Sequence, residues 1–349
     1  MQKNIAVGVI GTGGMGTRHA HNLHRFVPGA SVAGTYDVDQ ARAAQVAAEC
    51  GGATAFEDPY ELIQDPSVDA VLIASIDSTH AAFVQACLDA GKPVLCEKPL
   101  AVTAKDALGL VQAEQALGRQ LIAVGLMRRF DPQHLAVQRA VRAGKIGKGL
   151  MFKGVHRNPM IPPHLPGQIL ITNSAVHDID STRWLLGEEI TDVFVRGVRT
   201  RSHFSEETID MMLLQLGLTG GCLATIEVTV AVEYGYEVCA EVVGETGTAV
   251  TAQPADAILR SKGQISTDVN QIWLDRFQDA YIDELVGWIE SIQTDTPFQG
   301  ASAWDGYMSQ VVTDACTESL NSGLPVTVPT PETPALYRQE AAREVVSVD

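Results

Sequence analysis

The amino-acid sequence predicts an α/β protein of two domains: an N-terminal doubly wound parallel sheet, then a C-terminal α/β domain with an open, mostly antiparallel sheet. Short apolar runs alternate with alanine-rich, helix-like segments through the first third of the chain. After about residue 125 the pattern changes to longer segments in which apolar and polar residues alternate. A glycine-rich hexapeptide directly follows the first apolar run. The expected domains are residues 1–124 and 125–349, each long enough for its own core.

The strands predicted in the first domain are nearly all apolar, as expected where helices cover both faces of a parallel sheet. They are Ile5–Ile10, Ser31–Tyr36, Ala70–Ala74, Pro93–Cys96 and Gln120–Val124. The segments between them carry apolar residues at helical spacing, and the predicted helices are Gln40–Cys50, Ala81–Ala90 and Ala104–Leu117. This alternation of strands and helices predicts a doubly wound sheet.

The second domain shows the two-residue period of antiparallel strands with two different faces. In one of its strands, Ile226 and Val228 share a face, whereas Thr225 and Glu227 share the other. Late helices are expected to cover one face; the other face is either a subunit interface or solvated. The predicted elements are a helix over Asp131–Ala143, strands over Met211–Leu216 and Cys222–Val230, helices over Asp275–Gln293 and Trp304–Leu320, and a wrapping terminal segment over Pro325–Pro334.

Composition and charge limit the classes of partner. The formal net charge is −17, without a run of lysine and arginine, so nucleic acid and anionic membranes are not expected partners. No apolar run approaches the roughly 20 residues that a membrane span needs, and the N-terminus does not resemble a secretory signal. The six cysteines are scattered, which predicts reduced thiols and a cytoplasmic protein rather than a disulfide framework.

The hexapeptide Gly11-Thr12-Gly13-Gly14-Met15-Gly16 lies between a predicted strand and a predicted helix. Its first glycine permits a tight turn, and its second lets the backbone approach a pyrophosphate. Its last glycine lets the helix pack close to the strand, so that the helix N-terminus faces the negative charge. A glycine motif alone is weak evidence, but the order strand, loop and helix makes this one a predicted dinucleotide site.

The second predicted strand ends at Tyr36-Asp37, at the distance where an acidic residue contacts the adenosine ribose. Asp37 would accept hydrogen bonds from both ribose hydroxyls and repel a 2′-phosphate, so we favour NAD over NADP as the cofactor. The alternative is that Asp37 only begins a turn. Arg42 lies nearby and is expected to soften the preference.

Two further segments carry candidate catalytic residues. Lys98 follows the carboxyl end of a predicted strand, at the edge where ligands bind in parallel sheets, although it could equally be a surface lysine in a turn. Asn173 and His177 are four residues apart, on one face of a predicted helix, with Asp180 three residues further on. Histidine accepts protons well near neutral pH, but a structural histidine or half of a metal site would show the same pattern. No second cluster supplies further ligands, so no metal is expected.

Together these segments resemble the Gfo/Idh/MocA oxidoreductase family. The resemblance rests on the glycine loop, on Glu97-Lys98-Pro99 and on His177-Asp178-Ile179-Asp180, and it covers essentially the whole chain. Within the family the chain is most similar to the inositol 2-dehydrogenases, through 127–131, 156–159 and 177–186. The resemblance implies a Rossmann domain, a second domain whose open sheet builds homodimers or homotetramers, and a Lys–Pro bond that is often cis.

The resemblance also implies a role for individual residues. Lys98 would contact the reacting hydroxyl, His177 would remove its proton, and Asn173 would lie beside them. The expected substrate contacts are Arg128, His156, Asp180 and Tyr236. The expected cofactor contacts are Gly11, Gly13, Gly14, Met15, Gly16, Asp37, Ser75, Thr79, His80, Glu97 and Lys98.

One position departs from the inositol dehydrogenases, which usually carry an aspartate where this chain has Asn173. Asparagine can orient the imidazole or the substrate, but it brings no negative charge. We therefore expect NAD-dependent oxidation of a secondary hydroxyl of a cyclic polyol, with myo- or scyllo-inositol as the first candidates. The alternatives are a dehydrogenase or reductase of a pyranose, an anhydrosugar or a glycoside, and a non-catalytic regulator that senses NAD.

Overall fold

A computed structural model of the chain describes residues 3–159, 167–252 and 258–338. Its first sheet confirms the predicted parallel core. The six parallel strands, in chain order, are β1 (Ile5–Ile10), β2 (Ala30–Tyr36), β3 (Thr54–Ala55), β4 (Ala70–Ile73), β5 (Val94–Glu97) and β6 (Ile122–Gly125). Their spatial order is β6-β5-β4-β1-β2-β3, so the strand order reverses beside β1. Ligands bind at such a switch point, outside the carboxyl ends of the strands.

The helices of this domain connect the parallel strands. They are α1 (Gly14–Phe26), α2 (Gln40–Glu49), α3 (Pro59–Gln64), α4 (Asp77–Asp89) and α5 (Ala104–Leu117). Asp39, Asp58 and Thr103 cap α2, α3 and α5 by accepting backbone N–H groups of the first turn. Helix α1 begins after Gly13 without any side-chain cap, which leaves its N-terminal N–H groups available to an anion.

The second sheet is mostly antiparallel, as predicted. After a 3₁₀ turn over Met127–Phe130 and helix α6 (Pro132–Arg142), its strands are β7 (Gly149–Asn158), β8 (Ile190–Val198), β9 (Met211–Leu218), β10 (Leu223–Val230), β11 (Glu237–Gly244) and β12 (Thr248–Val250). The pair β7 and β10 is parallel, whereas the other pairs of these strands are antiparallel. A π-helical turn over Leu170–Ala175 leads directly into helix α7 (Val176–Leu186), which packs on β7 and β11.

The last part of the chain contributes to both sheets. It forms the hairpin β13 (Ile258–Ser261) and β14 (Gln264–Thr267), then α8 (Trp273–Arg276), α9 (Gln278–Thr294), β15 (Ala301–Ser302), α10 (Ala303–Ser322) and β16 (Val326–Thr327). Strand β15 pairs with β6 in the first sheet, whereas β16 pairs with β8 in the second. The last part of the chain therefore adds one strand to the sheet of each domain.

Helix α9 does not cover the second sheet together with α10, which corrects the expectation from sequence. Helix α10 packs on β8, but α9 packs on α1 and β1. Its Leu285, Trp288 and Ile289 are buried in the core that also holds Val7 and Val9 of β1. An amphipathic pattern shows that a helix has a buried face, but it does not show which sheet the helix covers.

The outer face of the second sheet carries apolar side chains on neighbouring strands. Met211, Leu213 and Leu223 are exposed on this face, whereas Met212 and Leu214 alternate with them and are buried. In the part of the chain that the structure describes, no helix is long and apolar enough to cross a membrane.

The C-terminal segment docks on the first domain. Tyr337, in a 3₁₀ turn over Ala335–Tyr337, donates a hydrogen bond of 2.6 Å to Oε2 of Glu114. Oε1 of the same buried carboxylate accepts the backbone N–H groups of Leu121 and Ile122 at the start of β6. Glu114 therefore joins α5, β6 and the C-terminal segment.

Replacing Tyr337 by phenylalanine should destabilise the protein by about 1–3 kcal/mol, because the substitution leaves a buried acceptor of Glu114 without its donor. The free energy of unfolding in urea measures this loss. Tyr60→Phe is the matched control: Tyr60 is exposed on α3, so removing its hydroxyl should change stability by less than about 0.5 kcal/mol. Equal effects of the two substitutions would contradict the assigned role of Tyr337.

Candidate active site

The turn after β1 depends on two glycines. Gly11 has a φ of +87°, and a Cβ there would lie 2.6 Å from the carbonyl oxygen of Ala74. At Gly16 a Cβ would lie only 1.7 Å from the carbonyl oxygen of Gly11. The first glycine thus permits the turn, and Gly16 lets α1 pack against it. By contrast, a Cβ on Gly13 or Gly14 would contact nothing within 4 Å, so at these positions the backbone is open to a ligand.

A cavity of about 770 Å³ begins at this turn. Five of the predicted cofactor contacts lie on its wall, namely Gly11, Gly13, Asp37, Ser75 and Thr79. An uncapped helix N-terminus, an open glycine backbone and an acidic residue at the end of β2 are what a dinucleotide requires. The residues present therefore fit NAD.

Asp37 is buried and fully hydrogen-bonded. Its Oδ2 accepts the backbone N–H of Thr12 at 2.7 Å, and its Oδ1 accepts that of Asp39 at 2.9 Å and Nη2 of Arg42 at 2.6 Å. Burial alone would raise the pKa of Asp37, but these donors outweigh it and lower the pKa. The carboxylate is therefore charged, as recognition of a ribose without a 2′-phosphate requires.

His80 and Gly14 do not lie on the wall of this cavity. The ring of His80 is buried, with Nδ1 2.7 Å from the carbonyl oxygen of Pro99 and Nε2 3.1 Å from that of Ser75. His80 thus connects the segment after β5 with the segment after β4, where Ser75 and Thr79 contact each other through their hydroxyls at 2.7 Å. The structure places His80 behind the cofactor contacts rather than among them.

A second cavity, of about 790 Å³, lies where the two domains meet. It brings together Lys98 from the end of β5, Asn173 from the π-helical turn and His177 from the first turn of α7. Met15, Glu97, His156 and Tyr236 are also on its wall. The glycine loop separates the two cavities, because Gly13 borders the first and Met15 the second.

Lys98 reaches across this cavity to the second domain. Its Nζ lies 3.4 Å from Oδ1 of Asn173, and the Lys98–Pro99 peptide bond is cis. Burial lowers the pKa of the Lys98 ammonium, although the neighbouring Glu97 acts in the opposite direction. Lys98 can therefore donate hydrogen bonds to an oxygen atom bound beside Asn173.

Glu97 is held by a histidine of α1. Oε1 of Glu97 lies 2.6 Å from Nε2 of His19, and Tyr281 contacts the His19 ring edge-on at 5.7 Å between centroids. Burial would raise the pKa of Glu97, but the hydrogen bond from His19 and its charge lower the pKa. Helix α9, which carries Tyr281, thereby supports the floor of the cavity.

His177 is buried and stays neutral near physiological pH. Burial lowers its pKa well below 6.5, and the positive charges of Arg128 and Lys98 add to this effect. Its Nδ1 has no hydrogen-bond partner among the described residues. Asn173, four residues before His177, brings an amide rather than a carboxylate to the wall of the cavity. The imidazole can accept a proton, and among the described residues no carboxylate is hydrogen-bonded to its Nδ1.

A buried carboxylate, that of Asp178, lies behind the wall of this cavity. Asp178 is fully buried; its Oδ1 accepts Nη1 of Arg128 at 2.7 Å, and its Oδ2 lies 3.1 Å from Nδ1 of His156. The hydroxyl of Tyr236 lies 3.2 Å from Nε2 of the same imidazole. A hydrogen-bonded chain thus runs from Asp178 through His156 to Tyr236 on the cavity wall.

Burial dominates the titration of this chain. It lowers the pKa of His156 against the hydrogen bond to Asp178, and it raises the pKa of Tyr236 to about 12. Burial would also raise the pKa of Asp178, but Arg128 and His156 outweigh it and lower the pKa. Asp178 and Arg128 are therefore a charged pair, whereas His156 and Tyr236 are neutral groups that can donate or accept hydrogen bonds.

Two predicted substrate contacts do not lie on the wall. Arg128 is 1% exposed and contacts Asp178 and His156 behind the cavity. Asp180 binds Arg129, with distances of 2.7 and 3.0 Å to the guanidinium, and Arg129 also contacts Asp305. This second ion-pair cluster joins α7 to the start of α10.

Sequence reasoning missed several residues on the cavity wall, namely Met127, Asn158, Ser174, Trp273 and Tyr281. Met127 and Asn158 adjoin predicted contacts, so proximity in sequence could have indicated them. Trp273 and Tyr281 belong to α8 and α9 and carry no local signal. They could be found only by knowing that α9 returns to the first domain. In residues 3–159, 167–252 and 258–338, no three His, Cys, Asp or Glu side chains are grouped to hold a metal ion.

Comparison with known proteins agrees with this geometry. Residues 5–125 match the family profile of an oxidoreductase family with an NAD-binding Rossmann fold, and residues 138–328 match its C-terminal α/β domain. The chain is 48% identical to an inositol 2-dehydrogenase of Rubrobacter xylanophilus, over 97% of each chain. It is 45% identical to inositol 2-dehydrogenase 2 of Saccharopolyspora erythraea, over 96% of this chain and 99% of that one.

Solved structures show the same fold. The myo-inositol dehydrogenase of Lactobacillus casei, in complex with NAD(H) and myo-inositol, superimposes with a TM-score of 0.92 at 34% identity, over 96% of this chain and 99% of that one. The scyllo-inositol dehydrogenase of the same organism, with NAD(H) and scyllo-inositol, gives 0.87 at 25% identity, over 93% and 99%. The chain belongs to the Gfo/Idh/MocA family of oxidoreductases and is an NAD-dependent dehydrogenase.

Proposed function

We propose that this dehydrogenase oxidises one secondary hydroxyl of myo- or scyllo-inositol to the corresponding ketoinositol. The observation that carries the proposal is the meeting of Lys98, Asn173 and His177 in one cavity beside the dinucleotide cavity. Besides Lys98 and Glu97, the cavity wall carries the neutral groups of Asn173, His156 and Tyr236, which donate and accept hydrogen bonds as a ring with many hydroxyls requires. The inositol dehydrogenases that resemble the chain support the same substrate class.

The residues divide the reaction between them. When bound, NAD would be the oxidant, because its nicotinamide would accept a hydride from the carbon that carries the hydroxyl. His177 takes the hydroxyl proton as a general base, and Lys98 donates a hydrogen bond to the oxygen as negative charge develops there. Asn173 holds the Lys98 ammonium through its Oδ1. The Tyr236 hydroxyl and the His156 ring hold other hydroxyls of the substrate.

Asn173 also favours a second candidate substrate class: a pyranose, an anhydrosugar or a glycoside. An amide in place of a carboxylate changes which hydroxyl orientation is bound, because its nitrogen donates a hydrogen bond where a carboxylate oxygen would accept one. The same residues would then oxidise a different ring carbon, or reduce the corresponding ketone in the opposite direction.

We further propose that the chain is a cytoplasmic homodimer or homotetramer that associates through the outer face of the second sheet. Exposed Met211 and Leu213 on β9, with exposed Val198 opposite Met211 on β8, support the proposal, since contiguous exposed apolar side chains mark interaction surfaces. The six cysteines are free thiols, which supports a reducing compartment. We place the domain boundary between residues 124 and 125, with α9 and β15 of the second domain packed on the first.

The proposed substrate is tested by following NADH absorbance with a panel of inositol isomers, aldoses, anhydrosugars and glycosides. Activity should be highest with myo- or scyllo-inositol, measured as kcat/KM. A higher kcat/KM on a sugar than on every inositol would overturn the inositol assignment in favour of the second class.

Replacing His177 by asparagine should lower kcat by about 10²- to 10⁴-fold, because it removes the general base. Since burial and neighbouring cations hold the pKa of His177 well below 6.5, the neutral base persists into mildly acidic solution. The acidic limb of the wild-type kcat/KM profile should therefore lie below about pH 6.5. His21→Asn, on α1 beside Glu49, is the control and should leave kcat unchanged. Near-wild-type turnover by His177→Asn would refute the assignment.

The hydrogen bond between His156 and Tyr236 predicts that the two residues are energetically coupled. Tyr236→Phe and His156→Gln should each raise KM for the polyol, and the double variant should lose less binding energy than the sum of the two single variants, because both break the contact between these residues. The expected interaction energy is about 0.5–3 kcal/mol in a double-mutant cycle. The matched cycle pairs Tyr236→Phe with His24→Gln, an exposed residue of α1, and should be additive. Additivity in the first cycle would contradict the hydrogen bond between His156 and Tyr236.

A further inference from the structure

We propose that Arg42 is a second determinant of cofactor choice, and that it lets the site bind NADP as well as NAD. The inference rests on the dinucleotide cavity, and not on which polyol or sugar is oxidised. Arg42 and Asp37 lie on the wall of the same cavity, with Nη2 of Arg42 2.6 Å from Oδ1 of Asp37.

The hydrogen bonds of Asp37 leave no lone pair for a ribose. A carboxylate has about four acceptor positions, two on each oxygen. Oδ2 accepts both the backbone N–H of Thr12 at 2.7 Å and its hydroxyl at 3.1 Å. Oδ1 accepts the backbone N–H of Asp39 at 2.9 Å and the guanidinium of Arg42 at 2.6 Å. A ribose hydroxyl can therefore bind Asp37 only after one of these donors leaves.

Two of the four donors are side chains, and of these Arg42 is exposed whereas the Thr12 hydroxyl is buried. The N–H groups of Thr12 and Asp39 are fixed by the turns after β1 and β2, and the Asp37 side chain is only 5% exposed. The Arg42 side chain stands on the first turn of α2 and is 43% exposed. The guanidinium can therefore move toward solvent, where its Nη1 already lies 3.5 Å from the exposed carboxylate of Asp39, but it then gives up a charge-assisted hydrogen bond to a buried carboxylate.

The two positions of this guanidinium suit two cofactors. With NAD, Arg42 must give up Oδ1 so that a ribose hydroxyl can donate to it, which means that the arginine competes with NAD. With NADP, the guanidinium can pair with the 2′-phosphate, which a planar fork of N–H donors binds in bidentate fashion. An arginine near the ribose is the usual means of accommodating that phosphate, and here it also screens the charge of Asp37.

Binding measured without substrate tests the proposal independently of catalysis. The full chain is titrated with NAD and with NADP by calorimetry, and the quantity compared is the Kd for NADP divided by the Kd for NAD. Arg42→Ala should weaken NADP binding about tenfold or more and tighten NAD binding severalfold, so the ratio should rise more than tenfold. Arg42→Lys keeps the charge without the fork and should give an intermediate ratio.

Arg119→Ala is the matched control, because it removes one positive charge from the same domain outside the dinucleotide cavity. It should leave the ratio of Kd values within about twofold of the wild type. A change in the ratio of less than about threefold for Arg42→Ala would overturn the proposal, as would a wild-type chain that binds NAD but shows no NADP binding. Retained NAD binding by each variant shows that it is folded.

Discussion

The packing of α9 against the first sheet is the contact on which the site depends. Trp288, with Leu285 and Ile289, anchors the helix beneath β1, and this packing places Tyr281 against His19. His19 in turn holds the carboxylate of Glu97, directly before Lys98. The two domains therefore meet through interlocked elements rather than through a single linker. This junction positions the dinucleotide cavity relative to α7, and hydride transfer between two bound partners requires such positioning.

Within this frame, the carboxylate of Asp178 lies behind the cavity, whereas that of Glu97 lies on its wall beside Lys98. Asn173 gives Lys98 an oxygen to contact but contributes no charge next to His177. The buried carboxylate of Asp178 is paired with Arg128 and connects to the cavity wall through neutral His156 and Tyr236. Among the described residues no carboxylate is hydrogen-bonded to Nδ1 of His177, and burial together with the positive charges of Arg128 and Lys98 keeps its imidazole neutral.

Local patterns predicted most of the first domain and the parts of the site that follow strands. Lys98 at the end of β5 and Asp37 at the end of β2 were found because parallel strands present their carboxyl ends at one edge. Local spacing does not determine which partner a side chain contacts, as Asp180 shows. Its spacing from His177 places both residues on α7, but Asp180 binds Arg129 on another side of the helix. Trp273 and Tyr281 were missed because their position depends on the long-range packing of α9, which no local periodicity encodes.

We predict that one substrate hydroxyl lies between Lys98 and His177, and a crystal structure of the chain with NADH and an inositol tests this most directly. One hydroxyl oxygen of the inositol should lie within hydrogen-bond distance of both Lys98 Nζ and His177 Nε2, with other hydroxyls on Tyr236 or His156. An inositol held in this cavity with no oxygen near His177 would contradict it.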